Sequence, residues 1–118
     1  MKSSRMRDRI TDAIYELGFE LCDSDEIITG LMAETNGGCF SIDSVELSMC
    51  SQVSRTEFDF TAEIRISASE HRDAPWCGDS IDASLSGKYV LDQDSWSIQD
   101  YNVFAAEIDR DRGPSVYP

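Results

Sequence analysis

Residues 57–68 alternate between polar and apolar side chains without a break, and this pattern constrains the fold more than any other feature of the chain. Side chains two residues apart lie on the same face of a β-strand, so the segment predicts a strand with one buried face and one charged, solvent-facing face. Its apolar residues are Phe58, Phe60, Ala62, Ile64, Ile66 and Ala68. Antiparallel sheets covered on one side have this pattern, so other segments must supply neighbouring strands and a covering layer.

The N-terminal residues have the helical spacing that a covering layer needs. Their apolar residues are Met6, Ile10, Ala13, Ile14, Leu17 and Leu21. Spacings of three and four predict a helix over residues 3–17 with one apolar stripe. Gly18 is the expected end, because glycine accepts the left-handed conformation that is common after helices. The alternative is that the helix tolerates Gly18 and continues to Cys22.

A second helix is predicted over residues 24–35. Asp23 and Glu26 have the spacing of a capping box, with Asp in place of the usual Ser or Thr. The run Asn36-Gly37-Gly38 is the expected stop.

After this stop the apolar spacing changes to two, with a break in phase. The apolar residues of the first strand are Phe40, Ile42, Val45, Leu47 and Met49. The first two have one parity and the last three have the other. A single strand cannot change faces without an extra residue, so we expect a β-bulge near Asp43-Ser44.

Two more strands are predicted beyond a loop at residues 70–79 that contains Pro75 and Gly78. The inward residues of the third strand are Ile81, Ala83, Leu85, Tyr89 and Leu91, and those of the fourth are Trp96, Ile98, Phe104, Ala106 and Ile108. Asp92-Gln93-Asp94-Ser95 is expected to form the hairpin turn between them. A change of parity predicts a bend at Asp100-Tyr101.

Helices followed by strands favour an α+β fold over an alternating α/β fold. We therefore expect two N-terminal helices packed on one face of a four-stranded antiparallel β-meander sheet. Its 118 residues are a typical size for a single domain, 1–118. Within it we expect a helical layer at 1–35, the sheet at 39–109 and a loose tail at 110–118.

The charge of the chain is strongly unbalanced. It has 23 Asp and Glu residues against 10 Lys and Arg residues, a net charge of -13, and no Lys or Arg between Ile10 and Ser54. Such a field repels nucleic acid and anionic membranes and attracts basic surfaces. The alternative is a merely solubilising surface, including that of a salt-adapted source. We see no signal peptide or membrane span, so we expect a cytoplasmic protein with free cysteine thiols.

The sequence offers no metal or cofactor site. Its one histidine and its widely spaced cysteines do not make a zinc site. A calcium loop starting at Asp92 would need an oxygen ligand and a glycine where Trp96 and Ser97 stand.

Catalytic patterns are equally thin. Trp76-Cys77-Gly78 resembles half of a thioredoxin active site, but the second cysteine is absent. His71 with Cys77 or Ser69 as nucleophile and Asp73 as orienter would crowd a triad into one loop. We therefore expect a protein that is not an enzyme.

The favoured hypothesis is an acidic inhibitor or nucleic-acid-mimicking decoy that occupies a basic surface of a partner, such as a nuclease complex. In its small size, acidity and lack of motifs the chain resembles phage and plasmid proteins that block bacterial defence systems, anti-CRISPR proteins among them. Carboxylates spaced along a helix or strand can imitate phosphates. The candidate partner-binding residues are Asp12, Glu16, Glu20, Asp23, Asp25, Glu26, Glu57, Asp59 and Glu63.

The alternative hypothesis is a non-catalytic module that binds a small ligand or forms a homodimer. Helices over a curved sheet resemble cystatin-like folds, and the Tyr89-to-Trp96 hairpin is similar to hairpins of the nuclear transport factor 2 family. That resemblance implies a pocket between the helices and the sheet. An exposed edge strand would allow two copies to pair.

Overall fold

The computed structural model describes residues 2–35, 37–69 and 76–110. Helices α1 (Lys2–Ser24) and α2 (Glu26–Met32) precede strands β1 (Cys39–Ser54), β2 (Glu57–Ser69), β3 (Trp76–Asp92) and β4 (Ser95–Arg110). The strands form one antiparallel sheet in the order β1-β2-β3-β4. Helix α1 lies mainly on β1 and also contacts β4, while α2 contacts β3 and β4. The predicted α+β meander with two N-terminal helices is confirmed.

Helix α1 passes through Gly18, so the expected end at residue 17 is wrong and the alternative of a tolerated Gly18 is confirmed. The helix ends at Ser24, two residues beyond the Cys22 of that alternative. The apolar stripe explains the continuation, because Leu21 is buried one turn beyond Leu17. Gly18 also lets α1 approach the sheet closely. A methyl group at this position would lie 2.9 Å from Cδ1 of Ile42 in β1.

Helix α2 is shorter than the predicted 24–35, and its cap is Asp25 instead of Asp23. The Asp25 carboxylate accepts hydrogen bonds from the backbone N–H groups of Ile27 and Ile28, each at 3.0 Å. Asp23 cannot serve, because it still belongs to α1. The helix ends before the predicted glycine stop, of which Asn36 lies outside the described residues.

The alternating pattern of β2 produces the core of the molecule. Phe60, Ala62, Ile64, Ile66 and Ala68 are buried, as predicted. The first four pack with inward residues of β3 and with the apolar stripes of both helices, which are Ile10, Ile14, Leu17, Leu21 and Ile28. Neither layer would be covered without the other.

Strand β1 has the predicted bulge and two further ones. Its register against β2 shifts between Ile42 and Ser44, then between Leu47 and Met49, and again between Gln52 and Ser54. The second shift turns Met49 outward, so its predicted inward position is wrong.

Strand β4 has the predicted bend and one further bulge. Asp100 adopts a positive φ of 52°, and the register against β3 shifts there. A second shift lies between the partners of Ser84 and Leu85 and turns Val103 inward. Phe104 is therefore 54% exposed, which corrects its predicted inward position.

The hairpin turn between β3 and β4 is confirmed at residues 92–95. Gln93 and Asp94 both have positive φ, 52° and 66°, as short hairpin connections require. The loop predicted for 70–79 is wrong from Trp76 onward, because β3 begins there. Residues 70–75 lie outside the described part, as does the predicted tail after Arg110.

Candidate interaction surfaces

A row of predicted partner-binding carboxylates stands on the exposed side of α1. These residues, which we call the acidic ridge, are Asp12, Glu16, Glu20 and Asp23, and all are exposed. At 3.6 residues per turn, their spacing places them within an arc of about 80°. The opposite side of α1 holds the buried Ile10, Ile14 and Leu21. Burial of that stripe directs the ridge toward solvent.

The acidic ridge is not neutralised within the described part of the chain. None of its carboxylates forms an ion pair with another described side chain, because the pairs found involve only sheet residues. Arg7, one of the basic residues at the start of α1, donates instead to the backbone oxygen of Leu47 at 3.0 Å. The ridge therefore presents its full negative charge to solvent.

Two exposed aromatic side chains border the ridge on the side of β1. Phe19 is 52% exposed and Tyr15 is 42% exposed. Their rings meet edge to face with centroids 5.6 Å apart. The Tyr15 hydroxyl donates to the backbone oxygen of Ile42 at 3.4 Å, which ties this pair to β1. Apolar contact area thus lies directly beside the charges.

The next two predicted residues lie at the start of α2 and play different parts. Asp25 is half-buried and its carboxylate is engaged as the helix cap. Glu26 is exposed in the first turn of α2, where the helix dipole favours a negative charge. Asp25 is therefore structural, and only Glu26 adds an uncommitted charge.

The predicted carboxylates of β2 are held by a cation from the neighbouring strand. Lys88 of β3 donates to Glu57 at 2.9 Å and to Asp59 at 3.4 Å. The hydrogen bonds to Glu57 and Asp59 raise the pKa of Lys88 above its ordinary value. These two carboxylates therefore belong to a local ion-pair network.

A second network occupies the outer face of the sheet. Arg65 of β2 donates to Asp82 of β3 and to Asp109 of β4, each at 2.9 Å. The hydrogen bond to Asp109, helped by the charge of Asp82, raises the pKa of Arg65. Glu63 of β2 lies opposite Glu46 of β1. It also borders an open depression of about 380 Å³ that Asp82 and Glu107 line as well. The outer face is acidic, but arginine and lysine hold part of its charge.

A groove of about 350 Å³ lies between α1 and the start of β4. Its lining residues are Ala13, Glu16, Leu17, Glu20, Trp96, Ser97 and Ile98. Trp96 stacks on Tyr89 of β3, with ring centroids 5.2 Å apart and an angle of 13° between the rings. The ring of Phe58 of β2 also packs against Trp96, with the two ring centroids 5.8 Å apart. The groove therefore combines an aromatic wall with two carboxylates of the acidic ridge.

The cysteines whose side chains the structure describes form no disulfide bonds. Cys22, Cys39 and Cys50 are free and half-buried. Burial, together with the charge of Asp23, raises the pKa of the Cys22 thiol. The side chain of Cys77, like His71 and Asp73, is outside the described residues, so the proposed loop triad is not addressed.

Within the described ranges, no three His, Cys, Asp or Glu residues are grouped closely enough to hold a metal ion. Neither described helix has both the length and the apolar character needed to cross a bilayer.

The helical spacing of α1 predicts the ridge carboxylates but not the groove beside them. The α1 spacing was enough to place Glu16 and Glu20 together. Trp96 was recognised only as an inward residue, because its approach to α1 depends on how the sheet wraps the helix. Comparisons of the chain with protein-family models, with curated proteins and with solved structures returned no match.

Proposed function

We propose that this protein binds a basic surface of a partner protein through the acidic ridge of α1, as an inhibitor or decoy in place of nucleic acid. The single observation that supports the proposal most is the contrast in pairing. The ridge carboxylates are exposed together and unpaired among the described residues, whereas Glu57 and Asp59 of β2 share Lys88. A partner's cations would supply what the chain itself does not.

Electrostatics favours such an encounter. The net charge of -13 attracts a cationic surface over a long range and accelerates association. From Asp12 to Asp23 the ridge extends over about 16 Å at the rise of an α-helix. A DNA strand carries a phosphate about every 3.4 Å, so the ridge is sparser than the strand it would replace. The decoy therefore makes a few direct contacts with the partner's cations, while its net negative charge attracts the partner from a distance.

The aromatic pair supplies the second component of an interface. Binding energy in protein interfaces is concentrated in a few residues, often aromatic, that become buried on association. Phe19 and Tyr15 are exposed beside the ridge. The charges would guide the approach, and these rings would stabilise the bound complex.

The test compares two variants with the same change in charge. The ridge variant is D12N/E16Q/E20Q/D23N, and the control variant, which neutralises exposed carboxylates elsewhere, is D43N/E46Q/D92N/D94N. Each immobilised protein is incubated with bacterial lysate at about 0.1 M NaCl and eluted at about 1 M, where the Debye length falls from about 10 Å to about 3 Å. We expect a salt-eluted partner whose recovery falls at least about tenfold with the ridge variant alone.

A captured partner is then tested for the decoy mechanism. It is purified, loaded with a fluorescent DNA duplex, and titrated with wild-type protein while anisotropy is recorded. Displacement of the duplex by wild type and by the control variant, but not by the ridge variant, supports the proposal. Equal capture by both variants overturns the ridge as the contact surface, and binding without displacement overturns the decoy.

A further inference from the structure

The groove between α1 and β4 has an acidic rim and an apolar floor. The exposed Glu16 and Glu20 stand one helical turn apart on the rim. The buried Leu17 and half-buried Ile98 form the floor beside the aromatic wall of Trp96. Its volume of about 350 Å³ is at the lower end of the usual range of ligand pockets, about 300–1,000 Å³. The space suits one or two side chains of a partner better than a folded element.

The indole of Trp96 is held in a fixed orientation. One contact is the near-parallel stack on Tyr89, and the other is the tilted ring of Phe58. Trp96 remains half-buried and lines the groove. Tryptophan is the aromatic side chain that attracts cations most strongly over its ring face.

The rim adds charge to this aromatic wall. Neither Glu16 nor Glu20 forms an ion pair with another described side chain. A ligand that satisfies both features must be cationic at its end and able to lie flat against an indole. Guanidinium meets both conditions, because it is planar, weakly hydrated, stacks on aromatic rings and forms paired hydrogen bonds with carboxylates.

We propose that this groove takes an arginine side chain of the basic partner, stacked on Trp96 and paired with Glu16 and Glu20. The inference rests on the proposed function and names the residue type that the acidic ridge recognises. It differs from attraction by charge alone, because a lysine of equal charge lacks the planar group and is more strongly hydrated.

The probes are capped hexa-arginine and hexa-lysine peptides, which carry the same charge. Binding of each to the whole protein is measured by titration calorimetry at low salt. We expect hexa-arginine to bind about threefold to tenfold more tightly than hexa-lysine. E16Q/E20Q should weaken the binding of both peptides.

Three variants assign the preference to the groove. W96L removes the aromatic wall. A13M fills the groove but leaves Trp96 and both carboxylates in place. A13M therefore remains informative even if W96L folds poorly. Both should reduce hexa-arginine affinity to that of hexa-lysine. The matched control F19L removes an aromatic ring on the other flank of α1 and should keep the preference. Circular dichroism confirms the fold of each variant.

The outcomes separate this inference from the proposed function. Equal, salt-sensitive binding of both peptides by wild type overturns the arginine groove and leaves the acidic ridge intact. A preference that survives A13M but disappears in F19L also overturns the groove, since it places the arginine beside Phe19. If neither peptide binds, both proposals are contradicted.

Discussion

The exposed side of α1 and the outer face of β2 carry similar carboxylates, but the two surfaces differ in the cations beside them. Along β2, Glu57 and Asp59 meet Lys88 from the next strand. Along α1, Glu16 and Glu20 form no ion pair with another described side chain. A strand face always has cross-strand neighbours about 5 Å away, whereas the outer side of a surface helix has none but its own turns. Pairing, more than the number of acids, therefore separates structural charge from charge available to a partner.

The largest expected effect comes from removing the cation that holds the sheet network. R65M leaves Asp82 and Asp109 unpaired beside other acids, and we expect a loss of about 1–2 kcal/mol in the free energy of unfolding. Urea denaturation at neutral pH measures it. The control is R55M, because Arg55 is exposed in the β1–β2 turn and has no ion pair with a described side chain. Equal losses in both variants would remove the pairing argument for the sheet.

Neutralising carboxylates should change the stability of the protein in opposite directions on the two surfaces. E16Q/E20Q relieves repulsion between like charges four residues apart and should stabilise the protein by about 0.3–0.5 kcal/mol. E57Q/D59N removes the same formal charge but leaves Lys88 unpaired, so we expect destabilisation. Denaturation midpoints of both variants and wild type give the comparison. The same sign for both variants would contradict it.

Salt should remove the advantage of the helix variant. Between about 0.01 M and 1 M NaCl the Debye length falls from about 30 Å to about 3 Å, which screens repulsion along the ridge. The difference in thermal midpoint between E16Q/E20Q and wild type should therefore shrink toward zero. A difference that is insensitive to salt would mean that local helix propensity, instead of charge, causes it.

The smallest effect concerns the pH dependence of Lys88, whose side chain is 41% exposed. Because its carboxylate partners raise its pKa above the ordinary 10.5, its contribution is complete below that pH and is lost as the pH rises through the folded-state pKa. The thermal midpoint of wild type should exceed that of K88M at pH 7–9, and the gap should close in more alkaline buffer. K88R keeps its charge and should retain the gap, so closure in both proteins would point to another titrating group.

Much of the fold follows from local patterns. The alternation of β2 gives its buried face directly, and the change of parity in β1 gives the first bulge. The helix stripe gives the direction of the acidic ridge, because a buried stripe fixes the opposite side. These features depend on the spacing of neighbouring residues, which the sequence contains.

Other features depend on contacts between distant segments. Glycine often ends a helix, but here the approach of Gly18 to Ile42 and the burial of Leu21 keep α1 continuous. The engagement of Lys88 with Glu57 depends on the register of β2 against β3. The groove depends on how Trp96 of β4 meets α1. No spacing within a single segment contains that information.

The irregularities of the sheet are confined largely to its borders. Strands β1 and β4 are the two edges, and the register shifts between β1 and β2 and between β3 and β4 leave the extra residues on these outer strands. Val53 and Phe104, two of those extra residues, are 56% and 54% exposed.

An incoming strand would need an unbroken line of backbone donors and acceptors on which to align. Each bulge interrupts the regular spacing of these backbone groups along the edge. The surplus of carboxylates also repels a second copy of the chain. The long borders of this sheet thus offer only short stretches with which another strand could pair. We therefore expect the same displaced residues, which interrupt the simple alternation of β1 and β4, to disfavour pairing between the edges of two molecules.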